Sequence, residues 1–318
     1  MATARRSSSS YGAFADGVII RGMPLLTLYP GNVYWVDSNG GGGSRGTFSH
    51  PVATLLEAHA LVTSDNGDII CIKPGHAETY TATVDFSKSG FAVIGLGFGD
   101  NRPTFTCGVL AAGDDMFDFA GDDVVVYNIK WADANPAGSA AVPFNVSGDN
   151  FHIENCYIEL GGATTGFLTH DTTAKKGLTV LNNTIVGTEA GPDFGVKVEK
   201  THLYAHIAGN KWIFEQSAGI DSGVVIFVSG TTAAGQHLIE EEVVLGMSDS
   251  NVYLVQTDVQ AQSLMSRCRI IGEDATDHIG TSGAGGFGFI DNMVVQEATS
   301  VPGTVDNAGD PIATTPAA

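Results

Sequence analysis

Apolar and polar residues alternate in short bursts along this chain, and the bursts recur in one frame. Phe151 and Ile153 are apolar, Asn155 follows two positions later, and Ile158 comes three after that. The frame returns as Leu178, Val180, Asn182 and Ile185. It stands upstream as Val124, Val126, Asn128 and Trp131, and more loosely downstream as His206, Ala208, Asn210 and Ile213. The four asparagines are 27, 27 and 28 residues apart. Period-2 alternation marks strands rather than helix faces, and a longer fixed period of a few tens of residues marks a solenoid. An Asn closing each short strand suits a sharp bend, because Asn tolerates positive φ better than most residues. Gly95 holds the matching place one unit earlier and fits the same need. Weaker echoes follow at Glu242 with Leu245, Arg267 with Ile270, and Asn292 with Val295. The pattern predicts an all-β chain, a right-handed parallel β-helix of about seven or eight turns. A β-sandwich, the competing reading, would space its strands about every 8–12 residues with no longer period.

The ends of the chain break the frame. Thr54 followed by Glu57 forms a capping box, and Leu55, Ala58 and Leu61 share one helical face. A helix here, ahead of the first turn, would cover the open end of the solenoid. Residues 1–32 read as an extended arm, residues 33–300 as the β-helix and residues 301–318 as a Pro-, Ala- and Thr-rich tail, extended or mobile unless docked. In the arm, Arg5, Arg6, Ile19, Ile20, Arg21, Leu25, Leu26, Leu28 and Tyr29 are the candidate partner-binding residues. Two readings of the arm stay open: a strand capping the chain's own solenoid, or an arm gripping a neighbour by strand addition.

Charge narrows the partners. The chain carries a net charge of −20 and would repel nucleic acid and anionic membranes. The arm departs from that balance, with Arg5, Arg6 and Arg21 against Asp16 alone, which favours an acidic partner surface. Cys71, Cys107, Cys156 and Cys268 form no CxxC pair and read as buried free thiols. No apolar run reaches the roughly 18 residues of a membrane span. No apolar segment directly follows Arg5-Arg6 as a secretory signal would require.

Candidate chemistry is thin. A glycan hydrolase needs two carboxylates about 5–10 Å apart. The acids available are Asp114, Asp115, Asp118, Asp122, Asp123, the run Glu240-Glu241-Glu242, and Glu273, Asp274 and Asp277. Most sit at turn positions, where solvated acids are common. The glutamate run reads as strand, with Glu240 and Glu242 on one face and Glu241 on the other, although Glu242 also holds an Asn-like turn position. Arg267 and Arg269 would likewise share a strand face, as the base of a lyase or as a solvated pair. His202 and His206 have metal-ligand spacing only on a helix, and their segment reads as strand. Trp131 and Trp212 fall in the repeated frame and read as core. No catalytic residue, metal or cofactor is expected.

Several stretches carry a resemblance. They are Asp37-Ser38 before the glycine loop, Pro51 to Thr54, Ala58, Gly67-Asp68-Ile69 through Pro74-Gly75, and Ile94-Gly95-Leu96-Gly97 with Pro103-Thr104. Together they resemble the opening turns of right-handed parallel β-helix proteins of the pectate-lyase-like superfamily. The motifs cover about residues 33–105, and the rest matches by period only. That fold carries lyases, hydrolases, adhesins and virion parts. Within it, the chain looks like β-helix proteins encoded among tailed-bacteriophage virion genes, whose capsid-decoration members sit as oligomers on the head. The resemblance implies a non-enzymatic decoration or cement protein, made in the host cytoplasm and placed on the capsid surface. Its implied partners are the major capsid protein and further copies of itself, a trimer first. The alternative is a tailspike-like protein that binds or cleaves a glycan.

Overall fold

The computed structural model describes residues 18–20, 23–25, 31–40, 45–108, 110, 114–133, 142–161, 164–170, 175–187, 194–199, 202–214, 223–228, 235–247, 253–256, 262–272, 280–282, 287–296, 302–305 and 311–312. Short strands wind into three stacked sheets of 10, 11 and 8 strands, and each turn adds one strand to each sheet in the order 1, 2, 3. One turn runs through Val125–Tyr127, Lys130–Asp133 and Phe144–Val146, the next through His152–Glu154, Tyr157–Leu160 and Leu168–His170. Pairing is parallel and in register, with Val126 beside Ile153 and Trp131 beside Ile158. The chain is therefore a parallel β-solenoid. From the strand Val125–Tyr127 onward two residues connect sheets 1 and 2, whereas the two turns before it use four (residues 73–76) and eight (residues 96–103). The repeat varies between sheets 2 and 3, where the connections differ in length.

Alternation places every second side chain inside. Val93, Val126, Ile153, Val180, Ile207, Ile239 and Met265 stack from sheet 1, facing Phe105, Trp131, Ile158, Ile185, Trp212 and Val244 from sheet 2. Sheet 3 contributes an aromatic stack in which Phe86 and Phe119 lie 4.5 Å apart with rings 10° from parallel. Each such side chain contributes about 1.5–3 kcal/mol by leaving water.

The bend between sheets 1 and 2 is a column of left-handed residues: Asn128, Asn155, Asn182, Gly209, Glu241, Arg267 and Asp291, with φ between 53° and 66°. The expectation for Asn210 is corrected here. Gly209 makes the fourth bend, and Asn210 is the next residue, turned inward and fully buried. The reading of Gly95 also changes. It ends the strand Phe91–Gly95 without positive φ, and its need is space, because a Cβ there would lie 2.2 Å from the Asn128 carbonyl oxygen. A second left-handed column, at Asp123, Asn150, Gly177, Tyr204, Gln236 and Gln262, opens each strand of sheet 1.

The helix Leu55–Leu61 begins at Thr54, whose side chain accepts from the Glu57 N–H while Glu57 accepts from the Thr54 N–H, closing the capping box. Leu55 and Ala58 face the core and His59 packs its ring against Phe86 and Phe91. Leu61 is only half-buried. Lys88 caps the other end, its Nζ donating to the carbonyls of His59, Ala60 and Val62 at 2.8, 2.8 and 2.5 Å. Under the helix, the first strand of sheet 2 (Ala77–Tyr80) turns Glu78 and Tyr80 inward where later turns have Phe105 and Cys107. Glu78 accepts from the Leu55 N–H, from Tyr80 Oη, and from His76 Nε2 at 3.0 Å. The Ser38 N–H donates to His76 Nδ1, which leaves the proton on Nε2. The open end is thus sealed by a helix over a satisfied polar cluster.

At the other end, Pro302–Val305 and Pro311–Ile312 extend sheet 2 as antiparallel strands, in the segment expected to be a tail. In the arm, Val18–Ile20 and Met23–Leu25 pair as an antiparallel hairpin that includes Ile19, Ile20 and Leu25. Arg5, Arg6, Arg21, Leu26, Leu28 and Tyr29 lie outside the described residues. Among the described residues, no helix is long and apolar enough to cross a membrane.

Candidate functional site

The acids singled out from sequence are mostly occupied in holding turns. Asp115 accepts from the Val142 N–H, Asp122 from the Asp149 N–H, and Asp123 from the Asn150 side-chain amide. Asp118 faces outward on sheet 3 beside Asp85. Glu273, Asp274 and Asp277 lie outside the described residues.

The glutamate run is divided by the bend, not by strand alternation. Glu240 ends a strand of sheet 1 and faces outward, 3.2 Å from His206 Nε2 and 2.7 Å from Arg267 Nη2. Glu241 is the left-handed residue and accepts from Arg267 Nε at 3.1 Å. Glu242 turns inward. The Arg267–Arg269 pair is divided in the same way, with Arg267 at the bend and Arg269 opening the next strand. His202 and His206 sit in separate strands, and among the described residues no three His, Cys, Asp or Glu side chains gather as a metal site.

Glu242 belongs to a buried polar ladder one residue past the bend. The Asn183 oxygen accepts from the Cys156 N–H, the Asn210 oxygen from the Asn183 N–H and amide, and Glu242 Oε1 from the Asn210 N–H and amide. Trp212 Nε1 donates to Glu242 Oε2 at 2.6 Å, and the Tyr253 hydroxyl adjoins the same carboxylate. Burial pushes the Glu242 carboxyl up to about 7, against the lowering effect of these donors. The four cysteines are free and buried, and burial pushes the thiols of Cys71, Cys156 and Cys268 up to about 12, so they are inert at neutral pH.

The outer surface offers more. In sheet 2 one outward column runs Thr106, Ala132, Glu159, Val186, Ile213, Leu245, Ile271, in register from turn to turn. It is polar or small up to Glu159 and aliphatic from Val186. Sheet 3 changes likewise, from Asp85, Asp118, Asn145, Thr169 and Lys197 to Ile226 and Val255. The aliphatic residues of the sheet 2 column remain partly exposed.

On the polar half of sheet 2 lies a groove of about 510 Å³. Its floor is Thr104, Lys130, Tyr157 and Glu159, and one wall is the turn at Gly99–Asn101 with Arg102 behind it. Lys130 Nζ is 2.7 Å from Glu159 Oε1 and 5.3 Å from the centre of the Tyr157 ring. None of these residues is a candidate site in the sequence, where Thr104 enters only with Pro103 in the resemblance to a β-helix turn. The signal was in the frame: Lys130 and Tyr157 each lie two residues past a bend asparagine, which stacks them on one outer column.

No protein-family model and no curated protein sequence matches the chain. Among solved structures, it is similar to the crystal structure of a GH136 lacto-N-biosidase from Eubacterium ramulus, at 8% identity, covering 83% of this chain and 68% of that chain with a TM-score of 0.33. A likeness of that order speaks to neither reaction nor ligand.

Proposed function

We propose that the chain is a structural, non-enzymatic solenoid of a virion: a capsid decoration protein of a tailed phage that seats on the head as a homo-oligomer. The observation that carries this reading is the change of outward polarity along the solenoid. Val186, Ile213, Leu245 and Ile271 form one half-exposed aliphatic row on sheet 2, whereas on sheet 3 Ile226 is buried against Val142 and Phe194, with Val255 packed beside it. A half-exposed aliphatic row on one side of the rod, flanked on the neighbouring outward column by Thr184, Lys211, Val243 and Arg269, suits a mixed contact with other chains. Sheet 2 of one copy against a different face of the next is a head-to-tail contact, which gives a ring such as a trimer where the rotation closes. Many weak contacts on a shell then add through multivalency. The basic arm supports attachment to an acidic shell from its sequence alone. The reading as a glycan-cleaving enzyme draws less support, because Glu240, Glu241 and Glu242 are each committed to other side chains.

The test is co-sedimentation of the purified chain with heads assembled from the major capsid protein. The parent chain should bind to saturation. The double variant Ile213→Asp, Leu245→Asp should stay in the supernatant as a monomer while melting within a few degrees of the parent, since both positions face outward. If the parent chain is not taken up, or the double variant still assembles and binds, the reading fails.

A further inference from the structure

The groove on the polar half of sheet 2 is not used by a purely mechanical role. Donors, acceptors and aromatic surface converge in it around a single space. Lys130 and Tyr157 offer donors, and Asp100, Glu159 and Thr104 offer acceptors, Thr104 Oγ1 giving its own proton to the Arg102 carbonyl at 3.1 Å, around a space of about 510 Å³ that Arg102 also lines. Two cationic and two anionic side chains balance locally in a chain of net charge −20. A polyanion entering the groove meets Asp100 and Glu159, and a cation meets Arg102 and Lys130. A neutral ligand rich in hydroxyl groups can satisfy both sets, because each hydroxyl donates once and accepts twice. Tyr157 on the floor gives apolar surface for the C–H face of a ring.

The spacing agrees. Thr104, Lys130 and Tyr157 are stacked in register on successive turns, about 4.8 Å apart, the interstrand distance of a sheet. That rise is close to one sugar unit of an extended oligosaccharide, so a glycan lying along the solenoid axis meets one floor residue per sugar. Cleavage is a separate matter. Glycoside hydrolysis uses two carboxyl groups facing the scissile bond. Here Glu159 is engaged by Lys130 at 2.7 Å, leaving Asp100 on the turn as the remaining carboxylate.

We propose that this groove binds a neutral oligosaccharide without cleaving it, a ligand function separate from the apolar contact half of the same rod. The test is calorimetric titration of the full chain with neutral gluco-, xylo-, manno- and N-acetylglucosamine hexamers, with a polyuronate hexamer beside them. At least one neutral hexamer should bind. Tyr157→Ala and Lys130→Ala should each weaken it about tenfold or more, whereas Thr169→Ala on the outer face of sheet 3 should leave it unchanged. Far-ultraviolet circular dichroism and melting temperature check that each variant is folded. The proposal is overturned if no neutral hexamer binds, if the polyuronate binds more tightly than all of them, or if Tyr157→Ala and Lys130→Ala have no effect. New reducing ends after prolonged incubation would overturn the claim that the ligand is held uncleaved.

Discussion

At the residue scale, a single step past the bend separates two jobs. The residue at the bend must adopt positive φ, and Asn, Gly, Glu, Arg and Asp all serve there. The next residue faces the interior and must satisfy backbone groups as the chain turns, which Asn183, Asn210, Glu242 and Asn292 do. Asn210→Ala is therefore expected to cost more than Asn155→Ala. The first leaves the Asn183 N–H and side-chain amide without their acceptor, at about 1–3 kcal/mol for each buried group. The second removes one side-chain hydrogen bond to Asn128 on a partly buried surface and holds Ala at φ 55°, a strain of about 1 kcal/mol. Urea unfolding of the two variants measures the difference. The frame of asparagines was legible in the sequence, but its fourth member was not, because Gly209-Asn210 offers two residues that suit a bend. Only the paired strands decide between them.

Glu242 gives a pH dependence with a definite sign. Its carboxyl titrates near 7 in the fold against 4.5 when free, so the folded state holds the proton more tightly. The associated stability is fully present below pH 4.5 and is lost as pH rises through about 7. The shift is worth up to about 3 kcal/mol. His59 acts oppositely: burial, with Lys88 nearby, lowers it to about 4, so its contribution is lost as pH falls from 6.5 through about 4. Comparing Glu242→Gln with the parent isolates the first effect. The parent should lose stability relative to the variant between pH 5 and pH 8. A constant difference across that range would contradict the buried, proton-binding carboxyl.

At the element scale, the helix Leu55–Leu61 was readable from its capping box, and its place over the first turn follows from the apolar face of Leu55 and Ala58. What the pattern did not disclose is the polar seal beneath it. Glu78 and Tyr80 occupy inward positions that the alternation assigns to apolar residues, and they are tolerable because Leu55, His76 and Tyr80 supply donors. Thr54→Ala should lower stability by about 0.5–2 kcal/mol through loss of the cap, measurable by thermal melting. The groove was illegible for a different reason. Its residues lie in separate turns and become neighbours only once the strands are stacked, so no local motif marks them. The glutamate run misled in the opposite sense: alternation put Glu240 and Glu242 on one face, and the bend instead leaves Glu240 and Glu241 outside, both on Arg267, and turns Glu242 into the core.

At the scale of the whole molecule, the rod is divided along its length. One half of sheet 2 carries the polar groove, and the other carries the aliphatic row, with sheet 3 changing character in step. Such a division fits a body with one end seated against other chains and the other end presented outward. The repeat explains why the scaffold was so plain in the sequence: every turn must fill the same interior and make the same bend. The proposed functions, by contrast, rest on outward residues, which neither the interior nor the bend constrains. The most direct measurement is electron cryomicroscopy of the virion with the chain's density located. If the proposed function holds, three-sided rods stand on the head surface, grouped about symmetry axes, with sheet 2 in contact with a neighbour beyond Val186 and the groove facing solvent. Density at the tail tip, or isolated rods with that aliphatic row exposed, would contradict it.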